Sequence, residues 1–325
     1  MRATAKAHAN IALVKYWGKR DIPRNLPAAG SLSMTLAGLT TTTRVTFGGD
    51  TSDRLLIDGE EQAPAALGKV LRVVEPLRLR AGVDTRVLVE SWNDFPTGAG
   101  LASSASGLAA ATVATAAALG LDLSVTKLSE IARVGSGSAC RSLFGGFSEW
   151  SAGEREDGTD SHAAPLFPPE HWDLRVVVAM VSEAQKAVGS TRGMAHTLET
   201  SPFHAPFLKT VDRDLAAARE AIASCDLPSL GRVAERSCLR MHALMMGADP
   251  ALVYLQPESW EVIRVVRALQ ERGVPCFFTA DAGPNVKVFC DPSAEEQILS
   301  ELQSLRCVRR LASARPGPGA EVVST

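Results

Sequence analysis

The sequence predicts a mixed α/β protein of two domains. Three observations carry that reading. The chain has 325 residues, room for two hydrophobic cores. Runs with period-two alternation, Ser31–Leu36 and Thr43–Phe47, are interleaved with runs at helical spacing, such as Ala65–Ala81 with Leu67, Val70, Leu71, Val74 and Leu77. From Gly153 to Pro169 the chain turns rich in charge, Gly and Pro ahead of an apolar strand at Leu174–Val181. That places a boundary near Pro168–His171 and gives domains 1–171 and 172–325.

In chain order, residues 3–15 alternate weakly and end in the strand Asn10-Ile11-Ala12-Leu13-Val14. The next seven residues, Lys15-Tyr16-Trp17-Gly18-Lys19-Arg20-Asp21, carry four charges around two aromatics. They read as a solvated loop or as the wall of an anion pocket lined by Lys15, Lys19 and Arg20. Two large aromatics would be a costly choice in a solvated loop, which favours the pocket. Asn25-Leu26-Pro27 and Gly30 predict a turn, and Ser31–Leu36, Thr43–Phe47 and Arg54–Ile57 a small antiparallel sheet. A helix over Ala65–Ala81 precedes a strand at Asp84–Asn93, and an Ala-rich helix runs from about Ser104 to Leu119. Ser124 caps a further helix. That helix ends in a second Gly/Ser loop, Gly135 to Ser142, followed by Leu143-Phe144-Gly145-Gly146-Phe147. A flexible linker would not lead straight into so apolar a run, so Arg141 is read as offering its planar guanidinium to a carboxylate. Beyond the boundary, Lys186–Gly193 predicts a polar loop, and helices follow near 203–225, 227–246 and 256–272. Cys276–Thr279 and Val286–Phe289 predict two strands joined by Ala280-Asp281-Ala282-Gly283-Pro284-Asn285. A helix at Glu295–Leu305, a last strand at Arg306–Leu311 and a mobile tail from Ala312 complete the reading.

The chemistry centres on Pro96-Thr97-Gly98-Ala99-Gly100-Leu101-Ala102-Ser103-Ser104-Ala105-Ser106-Gly107, between a strand and a helix. Glycines allow close approach of the backbone, and the unpaired N–H groups of a helix N-terminus favour an anion. Ser103 and Ser104 would add hydroxyls for a phosphate oxygen or for Mg²⁺. The stretch is no P-loop, since no Lys follows the glycines, and no dinucleotide fingerprint, since Ser103 replaces the third Gly. An ordinary helix cap by Ser103 or Ser104 is the plainer reading of the local sequence. Asp281 stands in turn chemistry, yet the flanking apolar strands would hold its carboxylate rigidly. A formal net charge of −2 predicts neither a nucleic acid nor a membrane partner, so an anionic ligand needs a local basic cluster. The six cysteines form no C-x-x-C pair and read as free thiols. The six histidines form no H-x-x-x-H pair, and His242 is read as a packed core histidine. The sequence shows no signal-peptide pattern and no run approaching a membrane span, which predicts a cytoplasmic enzyme.

The phosphate-loop string resembles that of the GHMP kinases, such as galactokinase, homoserine kinase and mevalonate kinase. Three further segments, Asn10–Asp21, Ser136–Gly146 and Ala280–Asn285, resemble the diphosphomevalonate decarboxylase branch of that superfamily. The resemblance implies the GHMP kinase fold of α+β two-layer sandwiches. Its N-terminal domain would be like ribosomal protein S5 and its C-terminal domain ferredoxin-like, with the active site between them. It implies a homodimer that uses ATP and Mg²⁺ to convert 5-diphosphomevalonate to isopentenyl diphosphate. It implies catalytic roles for Asp281, Lys15 and Arg141. Tyr16, Trp17, Gly18, Lys19, Ser136, Gly137, Ser138, Ala139, Cys140, Arg141, Ser190 and Thr191 would bind substrate. Asn10, Gly100, Leu101, Ala102, Ser103, Ser104 and Ser106 would serve ATP, with Ser104 on Mg²⁺. In this chemistry the tertiary hydroxyl is phosphorylated, phosphate leaves, and loss of CO₂ forms the alkene. Asp281 would orient the hydroxyl and accept its proton, with Lys15 keeping the carboxylate ionised.

Two positions depart from the family pattern. Ala29 stands where an Asn is usual. An Arg usual at the start of the helix before the phosphate-loop strand falls near Ala66, with Lys69 or Arg72 as the nearest stand-ins. Both touch the substrate end. A decarboxylase acting on 5-phosphomevalonate, a kinase that stops at the 3-phosphate and an inactive isoprenoid-phosphate-binding module are the competing readings. Retention of Asp281, Lys15, Arg141 and Ser104 together argues against the last two.

Overall fold

The computed structural model describes residues 1–49, 51–95, 103–184 and 186–324. The N-terminal half runs β1 (Arg2–Val14), β2 (Lys19–Asp21), β3 (Leu26–Pro27), β4 (Ser31–Phe47), β5 (Arg54–Ile57), β6 (Glu60–Glu61), α1 (Pro64–Ala81), β7 (Val87–Asn93), α2 (Ser103–Ala118), α3 (Val125–Gly135), β8 (Phe147–Trp150) and β9 (Ala163–Phe167). The C-terminal half runs β10 (Arg175–Met180), α4 (Ser190–Thr200), α5 (His204–Ala223), α6 (Leu227–Met246), α7 (Pro257–Glu271), β11 (Cys276–Ala280), β12 (Val286–Cys290), α8 (Glu295–Gln303), β13 (Arg310–Pro316) and β14 (Glu321–Ser324). One apolar cluster lies within residues 3–163, a second within 177–302, and a third draws on both halves.

The sheet is continuous, in the order β11-β12-β10-β13-β4-β7-β5-β6, with β1, β8, β9 and β14 paired off this path. β4 holds it together, and it corrects the expectation of separate strands at Ser31–Leu36 and Thr43–Phe47. It is one strand whose intervening threonines, Thr40 to Thr43, suit a pleated surface. Gly38, at φ +87°, marks the irregularity where the partners of β1 jump from His8–Thr40 to Asn10–Thr35. The sheet is not purely antiparallel either: Arg54–Ile57 pairs parallel with β7, and α1 supplies the crossover that parallel neighbours require. Leu26–Pro27 is a short strand paired with β2, where a turn was expected.

The helices follow their sequence signals. Ser124 Oγ accepts from Lys127 N at 3.2 Å and starts α3, and Asp226 does the same for α6 through Ser229 N at 3.0 Å. Alanines let α2 lie close on the sheet, with Ala105, Ala109, Ala110 and Ala114 fully buried. The C-terminal tail departs most from expectation. The strand expected at Arg306–Leu311 begins only at Arg310, and the chain beyond Ala312 is ordered by pairing: β13 joins β10 to β4, and β14 pairs with β1. Gly317 locks the connection, its N–H on Thr35 O at 2.8 Å and its carbonyl receiving Gly146 N–H at 2.9 Å.

Candidate active site

Asp281 sits on the turn between β11 and β12, and Lys15 follows directly on β1. The fold brings them together, with Lys15 Nζ donating to Asp281 Oδ1 at 2.7 Å. Lys287, on β12, reaches the other carboxylate oxygen at 3.5 Å. Both lysine side chains are 1% exposed and that of Asp281 is 31% exposed, so the carboxylate faces the opening with its counter-ions behind it. Burial acts to raise the Asp281 pKa. Lys15, Lys287 and Arg141 outweigh it and hold the carboxyl well below the usual range. Lys287 escaped the sequence reading. Its signal is a charge inside the apolar run Val286-Lys287-Val288-Phe289, since a fully buried lysine needs a partner.

Arg141 is 2% exposed. Its segment is a 3₁₀ helix, Gly137–Leu143, and corrects the expected Gly/Ser loop. Arg141 Nε donates to Ser33 Oγ at 2.9 Å and to Asn10 Oδ1 at 3.3 Å, and Nη1 donates to Ser31 Oγ at 2.6 Å. Among the described residues none of these bonds uses Nη2, so one edge of the guanidinium stays available. Ser31 and Ser33 share one face of β4, fully buried against this arginine. Alternation predicts that strand without saying what its hydroxyl face meets. Asn10 gives both amide hydrogens away, to Ser138 O at 2.9 Å and Ser142 Oγ at 2.8 Å. Here, where an ATP contact was expected, Asn10 braces Arg141 and spends both amide hydrogens on the protein. Ala139 and Cys140 are fully buried and point into the core, which removes their side chains from the expected binding set. Ser136 and Ser138 stay half-buried with their hydroxyls 3.3 Å apart. A Cβ on Gly137 would stand 2.7 Å from the Trp150 ring and 3.0 Å from Tyr16.

The segment after Lys15 divides. Trp17 is 3% exposed, and its indole N–H donates to Thr197 Oγ1 at 2.9 Å. It anchors the segment to α4 from within the core, where a substrate contact was expected. Arg20 is exposed and bonds the carbonyls of Ala152 and Arg155, outside the expected pocket. Lys19 is buried, 2.5 Å from Asn25 Oδ1 and 3.4 Å from Thr191 Oγ1. Burial first, then the charges of Arg72 and Lys69, pulls its pKa down to about 8. Those two cations of α1 therefore act on the same site. Gly18, at φ +120°, lies against His204, where a Cβ would stand 2.7 Å from Nε2. Tyr16 packs edge-on to Trp150 at 4.7 Å, and its buried hydroxyl has no partner among the described residues.

α4 begins at Ser190, inside the stretch expected to be a loop. Gly193 concealed it, a poor helix former needed because a Cβ there would stand 2.6 Å from Tyr254 Oη and 3.2 Å from Trp17. The helix start presents Ser190 and Thr191 beside Lys19. Lys186 Nζ donates to Ser190 Oγ at 2.8 Å and to Ala282 O at 3.0 Å, tying this turn to that of Asp281. Burial lowers the Lys186 pKa, with Asp281 opposing it.

Gly100, Leu101 and Ala102 lie outside the described residues, as does the side chain of Ser103. Ser104 is exposed on the first turn of α2, a turn without acidic side chains that would repel a phosphate. Such an exposed hydroxyl, a hard oxygen donor, fits Mg²⁺ arriving on ATP. Ser106 is fully buried and bonds Thr41 Oγ1 at 2.7 Å, so it fixes α2 on β4, where an ATP contact was expected. Among the described residues no helix is long and apolar enough to cross a membrane.

Sequence comparison matches residues 7–163 to a diphosphomevalonate decarboxylase-like N-terminal domain and 176–315 to a mevalonate 5-diphosphate decarboxylase C-terminal domain. The chain is 36% identical to the diphosphomevalonate decarboxylase of Candida albicans over 315 residues, 92% of this chain and 87% of that one. It is 39% identical to the Homo sapiens enzyme of the same name, over 88% of this chain and 76% of that one. Among solved structures, the mevalonate diphosphate decarboxylase of Staphylococcus aureus superposes with a TM-score of 0.93 at 40% identity, covering 99% and 98% of the two chains. A complex described as "MDDEF in complex with MVAPP, AMPPCP and Magnesium" gives 0.93 at 41% identity, over 100% and 99%.

Proposed function

The chain belongs to the diphosphomevalonate decarboxylase family, and from that premise we propose how its residues divide the work. The reaction is the ATP-dependent decarboxylation of mevalonate diphosphate, with ATP and Mg²⁺ as the phosphoryl donor and its metal. The observation that carries the division of roles is the Asp281 carboxylate, open on one side and backed by Lys15 and Lys287 on the other. The exposed side of the carboxylate accepts the hydrogen bond of the substrate's tertiary hydroxyl and aims that hydroxyl oxygen at the γ-phosphoryl group. With its pKa held so low, Asp281 is a weak base. It takes the proton late, once transfer to phosphorus is advanced, which suits a loose phosphoryl-transfer transition state. Lys15 and Lys287 neutralise charge around the transferring group.

Arg141 turns its free Nη2 edge to the substrate carboxylate and holds it ionised. When the C–O bond to the new phosphate breaks, its electrons leave with phosphate. The C–CO₂ bond pair then forms the alkene. A protonated carboxylate would block that step, and no acid is needed. Lys19, Thr191 and Ser190, with the charges of Lys69 and Arg72 behind them, take the diphosphate end. Ser104 serves ATP phosphate and Mg²⁺ from the start of α2. The division into domains 1–171 and 172–325, a homodimeric state and a cytoplasmic location belong to the same reading. The two half-specific apolar clusters support the division.

The test is release of CO₂ and ADP from purified protein with Mg²⁺ and ATP, giving 5-diphosphomevalonate and 5-phosphomevalonate in parallel. Equal amounts of both products with a strong preference for the diphosphate are expected. Preference for the monophosphate would overturn the assignment of the basic end, and ADP without CO₂ would overturn the role of Arg141.

A further inference from the structure

The division of roles above places Lys19 at the diphosphate end. A lysine is a point charge on a flexible stem unless something holds its ammonium. Here the holder is Asn25, on the turn between β2 and β3. Its backbone N–H closes that turn on Ile22 O at 3.2 Å. Its φ of +52° is left-handed, a conformation that asparagine tolerates better than most residues. Asn25 is 3% exposed, and its amide oxygen accepts from Lys19 Nζ at 2.5 Å. Its amide nitrogen donates to Arg133 O at 3.1 Å and to Val134 O at 2.7 Å. Those carbonyls belong to the last turn of α3, where a helix has no N–H of its own to offer them. One side chain thus spans from Lys19 to a helix end. From that end the chain runs through Ser136 into the 3₁₀ segment that carries Arg141.

We propose that Asn25 is a positioning residue for substrate binding: anchored on the α3 carbonyls, its amide oxygen fixes the Lys19 ammonium beside Thr191, where the diphosphate is received. The inference rests on the reading that Lys19 meets the diphosphate. An ammonium has three hydrogens to give. Asn25 takes one and Thr191 Oγ1, at 3.4 Å, a second, which among the described residues leaves one for a phosphate oxygen. The acceptor's neutrality matters as much as its place. An amide oxygen orients the ammonium without cancelling its charge, whereas a carboxylate there would pair with Lys19 and repel the diphosphate. The other charges nearby are consistent with an anion site. Lys69 and Arg72 act on Lys19 from α1, and Arg72 also donates to Pro23 O on the Asn25 turn. Asp21, on the same hairpin, is engaged by Arg24. Arg133 of α3 turns its guanidinium to the carbonyls of Gly158 and Ser161, and Arg192 of α4 is exposed.

The test uses two substitutions. Asn25→Gly removes the side chain and suits the left-handed backbone. Asn25→Asp keeps an acceptor for Lys19 but makes it a charge. At pH 7, Asn25→Gly should raise KM for mevalonate diphosphate by about tenfold, with KM for ATP and kcat within about threefold of wild type. Added to Lys19→Met, it should raise that KM by less than about twofold more, because a residue acting through Lys19 has nothing left to act through. Asn25→Asp should also raise KM, and it should move the alkaline limb of kcat/KM upward by about one pH unit, since a carboxylate beside the ammonium favours its charged form. An unchanged KM in Asn25→Gly, equal losses in KM for both substrates, a full further tenfold in the Lys19→Met background or an unmoved limb in Asn25→Asp would each overturn the inference. If Asn25→Gly does not fold for want of the α3 contacts, Asn25→Asp decides alone: a limb displaced upward supports the role, and an unmoved one refutes it. Lys19→Met with a wild-type KM would instead sink the reading of Lys19 itself.

Discussion

At the scale of the residue, the site turns on charges placed where water cannot screen them. Lys19 shows how burial sets a working range. Its ammonium is held to about 8 by burial and by two neighbouring cations, so it is charged below that pH and loses its charge as pH rises through it. A bound diphosphate favours the charged form and moves the transition upward in the complex. The kcat/KM for mevalonate diphosphate should therefore fall on the alkaline side of about 8. Lys19→Met should raise KM by about tenfold, consistent with loss of one charge-assisted contact, and flatten that limb. A pH–rate profile of both proteins checks this, and an unchanged limb in the variant would assign it to another group. Lys15, Lys19, Asp281 and Arg141 were legible from sequence because they stand in short polar segments beside apolar runs. Lys287, Ser31 and Ser33 were not. They occupy strand positions whose neighbours are apolar, and only the packed structure shows that they back Asp281 and brace Arg141.

At the scale of the element, the C-terminal tail is the clearest case of tertiary structure overriding local sequence. Pro316-Gly317-Pro318-Gly319 reads as mobile, yet Gly317 bonds both Thr35 and Gly146. A Cβ on Gly145 would stand 2.8 Å from Gly319 N, so the two glycine pairs are matched surfaces. This clamp lies just past the 3₁₀ segment that carries Arg141. Deleting residues 317–325 should lower the thermal midpoint by several degrees, on the order of 1–3 kcal/mol for lost backbone bonds and strand pairing. It should also lower kcat more than nucleotide affinity, because Arg141 loses its support. Calorimetry and steady-state kinetics on the truncated protein check both parts. Full activity in it would show that the Arg141 segment stands without the tail. α4 was missed for a related reason, its glycine being set by Trp17 and Tyr254 and not by the helix.

At the scale of the whole molecule, a continuous sheet joins two halves, and the Lys15–Asp281 ion pair links them from the end of β1 to the β11–β12 turn. Because the Asp281 pKa is depressed on folding, its contribution to stability is present above the unfolded carboxyl value. It is lost as pH falls below that value toward the folded one. Between pH 5 and pH 3 the urea midpoint of wild type should fall further than that of Asp281→Asn, all other carboxylates being common to both. An equal fall would mean that the pair adds nothing to folding. The alternation of strands and helices was legible across the chain. The continuity of β4 and the return of the tail were not, because both depend on pairing between residues far apart in sequence. The most direct test of the central claim, that phosphoryl transfer begins at Asp281, is single-turnover release of ADP and CO₂ by Asp281→Asn saturated with Mg-ATP and mevalonate diphosphate. Both products should fall by about 1,000-fold or more with nucleotide affinity retained. Release of ADP at the wild-type rate without CO₂ would contradict the account, placing Asp281 after phosphoryl transfer.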